Sequence, residues 1–180
     1  MVYVFLADGF EEVEALTPVD LMRRAGIEVK TVGVTGEVVT GSHNIPVKAD
    51  ITIDEVELNN QIEMIVLPGG MPGTINLQND VYVDQTIDFC VKNDKYLAAI
   101  CAAPKILGGK GLLDGKEAIC FPGFEDELVG AKLVDDIVAK DGKIITAKGA
   151  GAALKFGLKI VETLLSKEQA DKIEDSLQCR

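Results

Sequence analysis

Cys101 ends the run Tyr96-Leu-Ala-Ala-Ile100 and is followed by Ala102-Ala-Pro104-Lys105. Five apolar or aromatic residues after Lys95 read as a buried strand. Pro104, with Lys105-Ile-Leu-Gly108 behind it, reads as the first turn of a helix, where the missing proline N–H would be unpaired in any case. Cys101 is thus predicted on a tight strand-to-helix turn, the placement that presents a nucleophile at the edge of an α/β sheet. Ala102 and Ala103 are small enough for such a turn. A helix N-terminus beside the thiol would favour the thiolate and lower its pKa. The alternative is a buried small hydrophobe with no chemistry.

Two other stretches carry groups that could act with it. Glu11, Glu12 and Glu14 crowd the start of a helical segment. Glu11 and Glu14 are three apart and share a face, while Glu12 points elsewhere. Carboxylates there complement the positive end of the helix dipole without any catalytic role, so both readings stand. Pro68-Gly69-Gly70 follows an apolar run and lacks the Lys-Ser/Thr of a phosphate loop. Consecutive glycines let a backbone N–H approach a ligand, and with the N–H after Cys101 they would form an oxyanion hole. A plain tight turn explains the same residues.

The elements that must position these groups alternate. Strands are predicted at Val2–Ala7, Glu28–Val34, Ile62–Leu67, Tyr96–Ile100 and Glu117–Cys120, with a β-excursion over residues 36–54. Helices are predicted at Glu11–Ala25, Val81–Lys92, after Pro104, and at Ala152–Leu165 and Lys167–Leu177. Gly26 should cap the first helix, which Pro18 should kink, break or restart with Thr17 as cap. Lys132–Ile137 and Lys143–Thr146 read as a hairpin across Asp141-Gly142. Apolar strands alternating with helices imply an α/β fold, a mostly parallel sheet with helices on both faces. Ligands of such sheets bind beyond the strand carboxyl ends, where Asp8–Glu14, Pro68–Gly73 and Cys101 all fall.

A chain of 180 residues, 47% hydrophobic and 26% charged, fits one ordinary domain over residues 1–180. Its 18 basic and 29 acidic residues give a net charge of −11, which argues against nucleic acid or an anionic membrane as partner. No apolar run approaches a membrane span and the N-terminus lacks a basic signal region, so a cytoplasmic setting with four reduced cysteines is expected. With one histidine and no Cys-x-x-Cys pair, a zinc site lacks ligands; no metal and no cofactor are expected.

Four ordered motifs together carry a resemblance. Asp8-Gly-Phe-Glu-Glu-Val-Glu14, Pro18-Val-Asp-Leu-Met-Arg-Arg-Ala-Gly26, Leu67-Pro-Gly-Gly70 and Ala98-Ala-Ile-Cys101-Ala-Ala-Pro104 resemble the ThiJ/PfpI superfamily. The nearest branch contains the parkinsonism-associated DJ-one protein and its bacterial counterparts. The similarity spans nearly the whole chain. It implies a flavodoxin-like homodimer with Cys101 on a strained elbow, and a protonated Glu14 that hydrogen-bonds the sulfur. It further implies Gly70 and Ala102 as backbone donors, and a pocket that includes Gly69, Phe121, Ala150, Arg24 and His43. Arg24 and His43 match basic rim positions contributed across the dimer; a solvated loop residue is the other reading of His43. Phe121 stands where the human-type branch has a histidine, and Ala150 replaces a common proline. Ala102 stands where the peptidase branch has a histidine, which disfavours a Cys-His peptidase.

The activity so implied is a glutathione-independent glyoxalase or protein deglycase acting on small reactive carbonyls or glycated substrates, with Cys101 as nucleophile and Glu14 as proton shuttle. The alternative is a redox sensor or chaperone that works through Cys101 oxidation. A role in making thiamine thiazole monophosphate finds no phosphate-binding motif here.

Overall fold

The computed structural model describes residues 1–179. In chain order it contains β1 (Val2–Leu6), α1 (Glu12–Arg24), β2 (Val29–Gly33), β3 (Val38–Thr40), β4 (Pro46–Lys48), β5 (Ile51–Thr52), β6 (Met64–Leu67), α2 (Gly73–Asn79) and α3 (Val81–Lys92). There follow β7 (Tyr96–Ile100), α4 (Pro104–Gly109), β8 (Glu117–Ala118), β9 (Lys132–Leu133), β10 (Val138–Asp141), β11 (Ile144–Ala147), α5 (Ala153–Leu164) and α6 (Lys167–Ser176).

Seven strands form one sheet in the order β10-β11-β7-β6-β1-β2-β5, parallel except for β10. Every residue of β1, β6 and β11 is buried, which is why these strands read as continuous apolar runs. Alternation along β1 splits the core in two. Val2, Val4 and Leu6 face a layer with Ala15, Met22, Phe156, Ile160 and Ile173 from α1, α5 and α6. Tyr3, Phe5 and Ala7 face Leu77, Ile87 and Leu107 from α2, α3 and α4. The fold is therefore the flavodoxin-like sandwich, with helices on both faces.

From β1 the chain crosses to β2 on one side, and β6 then starts on the other. The switch point of the sheet lies between β1 and β6, where ligands of such sheets bind. Because β6 lies between β1 and β7, the loops after these three strands leave the same edge side by side.

Four local expectations need correction. Pro18 neither breaks nor restarts α1, which runs unbroken from Glu12 to Arg24. Proline cannot donate to the carbonyl of Glu14, but Pro18 is buried against α5, and tertiary packing outweighs one lost bond. The hairpin turns at Gly142 as expected, yet it pairs Val138–Asp141 with Ile144–Ala147. Lys132–Leu133 instead pairs in parallel with β8 in a separate small sheet, and the intervening Asp136 turns the chain by accepting the Ile137 N–H at 2.6 Å. Strand β8 stops at Ala118, short of Cys120. Helix α2, in a stretch rich in glycine and proline, was not expected at all. In the excursion, β3 and β4 form a two-stranded hairpin while β5 joins the main sheet beside β2.

Candidate active site

Strand β7 delivers Cys101 with φ of +65°, a left-handed conformation that costs a non-glycine residue about 1–3 kcal/mol. Two main-chain bonds hold it there. The Cys101 N–H donates to the Ala147 carbonyl at 2.9 Å, extending the β7–β11 ladder, and the Cys101 carbonyl accepts the Phe121 N–H at 2.8 Å. The side chain is partly buried, at the edge the topology predicts.

Glu14, on the first turn of α1, is 1% exposed. Its Oε2 accepts the Gly69 N–H at 3.0 Å, and its carboxyl hydrogen-bonds the Cys101 sulfur. The N–H groups of Gly70 and Ala102 are also directed at that sulfur. Gly69 and Gly70 make this approach possible. A Cβ on Gly69 would lie 2.6 Å from both the Cys101 Cβ and Glu14 Oε2, and Gly70 has φ of +88°. Cys101, Glu14, Gly69, Gly70 and Ala102 thus meet in one pocket assembled from the loops after β1, β6 and β7.

Burial pushes the Glu14 carboxyl up to about 7, against the lowering effect of its bonds to Cys101 and Gly69, with the charge of Glu11 adding to the rise. The thiol does not follow the expectation of a lowered pKa. Burial, the Glu14 charge and the Glu14 hydrogen bond push Cys101 up to about 12, although the Ala102 and Gly70 N–H groups pull the other way. Helix α4 has only six residues, too little dipole to reverse this. Both rises share a cause: a buried pocket resists holding two negative charges at once. With a proton on Glu14 the carboxylate charge facing the sulfur is gone, and the acid can donate to a thiolate. Thiol ionisation is therefore governed by the Glu14 proton.

Glu12 points away from Glu14, towards the turn between β3 and β4. Although 6% exposed, it accepts the His43 N–H at 2.9 Å and bonds the His43 Nδ1 at 3.0 Å. Burial would raise its pKa, but the bonds from His43, its own N–H and Ile45 bring the net value below the ordinary one. His43 is raised in turn, chiefly by its bond to Glu12 and by the charges of Glu11 and Glu12. No motif spacing announces this tie, because it depends on how the hairpin folds back over α1. The donor atoms of Glu11, Glu12 and His43 lie within 4.8 Å of one another, but as an ion pair inside one chain they satisfy each other.

The remaining expected pocket residues divide. Phe121, 47% exposed, covers Gly149, whose Cβ position lies 3.1 Å from the Phe121 ring and 3.9 Å from Glu14 Oε1. With Lys148, Ala150 and their neighbours it lines a shallow recess. Arg24 sits elsewhere: it ends α1, bonds Asp20 at 2.7 Å, and lies about 15 Å along the helix from Glu14. Within one chain it does not reach the pocket. His43, the chain's single histidine, reaches Glu12 rather than Cys101 within one chain.

A strained cysteine elbow and a buried carboxyl at the switch point of a parallel sheet define a class of α/β proteins with a thiol and a carboxyl side by side. Within that class the chain belongs to the DJ-1/PfpI family, whose model matches residues 1–163. It is similar to protein DJ-1 homolog B of Arabidopsis thaliana, 35% identical over 99% of this chain; the chain spans 41% of that relative's length. It is also similar to a Caenorhabditis elegans protein named glutathione-independent glyoxalase DJR-1.2, 31% identical over 91% of this chain and 87% of that one. The solved structure of oxidized Toxoplasma gondii DJ-1 superposes with a TM-score of 0.93 and 37% identity, covering 98% of this chain and 97% of the other.

Proposed function

We propose that the protein is a cysteine-dependent enzyme for small reactive carbonyls, of the glutathione-independent glyoxalase or deglycase type. The observation that carries this reading is a buried Glu14, with a proton affinity near neutrality, hydrogen-bonded to the Cys101 sulfur. The name of the Caenorhabditis elegans relative agrees with it.

On a 2-oxoaldehyde, the Cys101 sulfur forms a bond to the aldehyde carbon and the carbonyl oxygen takes a proton, giving a hemithioacetal. Glu14 as carboxylate removes the proton from that carbon. The electron pair moves into a C=C bond while the neighbouring ketone oxygen is protonated, giving an enediol. Glu14 returns the proton to the second carbon while the hydroxyl on the sulfur-bearing carbon gives up its proton, leaving a thioester. Water attacks it, the C–S bond breaks, and the thiolate departs from a 2-hydroxy acid. One water is consumed and no glutathione or metal is required. The N–H groups of Gly70 and Ala102 favour the negative sulfur on entry and departure. Hydrolysis of early carbonyl adducts on amino groups would use the same parts.

Methylglyoxal consumption with metal chelated and glutathione absent tests this, beside Cys101→Ser. Turnover to lactate that falls at least about 1000-fold in the variant is expected, in line with loss of a covalent nucleophile. Unchanged turnover in the variant would refute the reading.

A second reading has its own support: three donors around one sulfur also suit a sulfinate. Limited peroxide followed by peptide mapping should then oxidise Cys101 ahead of Cys90, Cys120 and Cys179; equal oxidation would count against a dedicated sensor. We further propose a homodimer, to be checked by sedimentation equilibrium. All four cysteines are free, which suits a reducing cytoplasm. Among the described residues no helix is long and apolar enough to cross a membrane.

A further inference from the structure

We propose that Lys148 makes this pocket selective for carbonyl substrates that carry an anionic tail, a carboxylate or phosphate. The proposal takes its reaction from the carbonyl reading but not its binding site. Lys148 lines a recess whose other walls include Phe121, Pro122, Ile137, Gly149 and Ala150. Those walls are apolar or main chain, so Lys148 is the one cation there. Two covalent neighbours fix how near the recess lies to the chemistry. Gly149, next to Lys148 in the chain, brings its Cβ position within 3.9 Å of Glu14 Oε1. Phe121 is tied by its N–H to the Cys101 carbonyl.

Among the described residues the Lys148 ammonium has no ion-pair partner within 4.0 Å. Lys148 also lines a second recess together with Glu125 and Asp135, and neither carboxylate forms an ion pair with it within 4.0 Å. Its charge is therefore available. The net charge of −11 does not decide recognition here, because charges more than about 8 Å away are largely screened at physiological ionic strength. A half-buried lysine beside apolar walls suits a ligand with a short carbon chain ending in an anion.

Methylglyoxal and 4,5-dioxopentanoate present the same 2-oxoaldehyde, and the second adds a carboxylate at the far end of its chain. Each takes up one water, to lactate or 2-hydroxyglutarate respectively, by the same bond changes. The measurement is the ratio of kcat/KM for dioxopentanoate to that for methylglyoxal in the wild type, Lys148→Met and Lys148→Arg. Loss of one charge-assisted hydrogen bond should lower the ratio about tenfold in Lys148→Met, carried by KM, with Lys148→Arg restoring most of it. An unchanged ratio overturns the proposal.

If the wild type turns over neither aldehyde, the carbonyl reading fails and binding is read directly, as protection of Cys101 from iodoacetamide by 2-hydroxyglutarate. Protection that needs about tenfold more ligand in Lys148→Met supports the anion site without turnover. Protection that is absent, or equal in the two proteins, overturns it.

Discussion

At the scale of single residues, Glu14 is the group whose environment departs furthest from that of a free carboxyl. Its folded pKa of about 7 stands above the ordinary 4.5, so the folded protein holds a proton that the unfolded chain gives up. The stabilisation from that bound proton is complete below about pH 4.5 and is lost as pH rises through about 7. The loss amounts to about 3 kcal/mol at most. Wild-type stability should therefore decline from pH 5 to 8, and Glu14→Gln, with no proton to lose, should flatten that stretch. Denaturation midpoints across the range would check this; parallel profiles would mean that the carboxyl is ionised in the folded protein. Thiol chemistry should follow the same proton. Because the Glu14 charge and hydrogen bond both raise the thiol, Cys101 alkylation is expected to inflect at lower pH in Glu14→Gln than in the wild type. Gly69→Ala should damage the pair directly, since its Cβ would lie 2.6 Å from both partners. About 1–3 kcal/mol of destabilisation is expected from such overpacking, readable as a lower urea midpoint.

At the scale of elements, α1 must be held in place for Glu14 to meet Cys101, and two contacts do this. The N-terminal end is tied through buried Glu12 to the turn after β3, and through the Glu11 N–H to the Gly69 carbonyl at 2.9 Å. The middle lies against α5 at Gly157, where a Cβ would come within 3.1 Å of the Pro18 Cα and 2.5 Å of Leu21 Cδ1. Gly157→Ala should thus force the helices apart and cost about 1–3 kcal/mol, readable as a lower urea midpoint. If activity falls further than stability, the displacement has reached Glu14 along the helix. The same contact explains why Pro18 is tolerated inside α1: a buried helix–helix interface supplies more than one missing hydrogen bond takes away.

At the scale of the whole molecule, the site exists only while the central sheet does. Glu14 on the helix after β1, Gly70 on the loop after β6 and Cys101 on the turn after β7 are brought together by the strand order β1, β6, β7. Cys90 and Cys120 are buried in the layer covering one face of that sheet, and burial pushes their thiols up to about 12 and about 11. Pulsed alkylation along a urea titration should label Cys90 and Cys120 together, at the midpoint of global unfolding. The dependence of Cys101 alkylation on Glu14 should vanish at that same midpoint. Labelling of Cys120 well before Cys90 would reveal local opening of the segment after β8.

The central strands, the elbow at Cys101 and the convergence of three loops were legible in the chain, because fully buried parallel strands leave unbroken apolar runs and their carboxyl ends are marked by Gly, Pro and Cys. The motif resemblance pointed to Glu14, Gly70 and Ala102, and the loop order brings all three to the sulfur. Local signals were weaker where long-range packing competes with propensity. Pro18 looks like a helix break until Gly157 of α5 is set against it, and Lys132–Leu133 looks like a hairpin arm until β8 offers a closer partner. The expected low thiol pKa failed for a related reason: burial and the Glu14 charge act through space, and neither is encoded in the spacing of Cys101 from Pro104. The Glu12–His43 tie and the placement of Lys148 beside Phe121 likewise arise only when distant segments meet. Periodicity reports what a residue's own element buries; electrostatics and contact depend on which other elements come to lie against it.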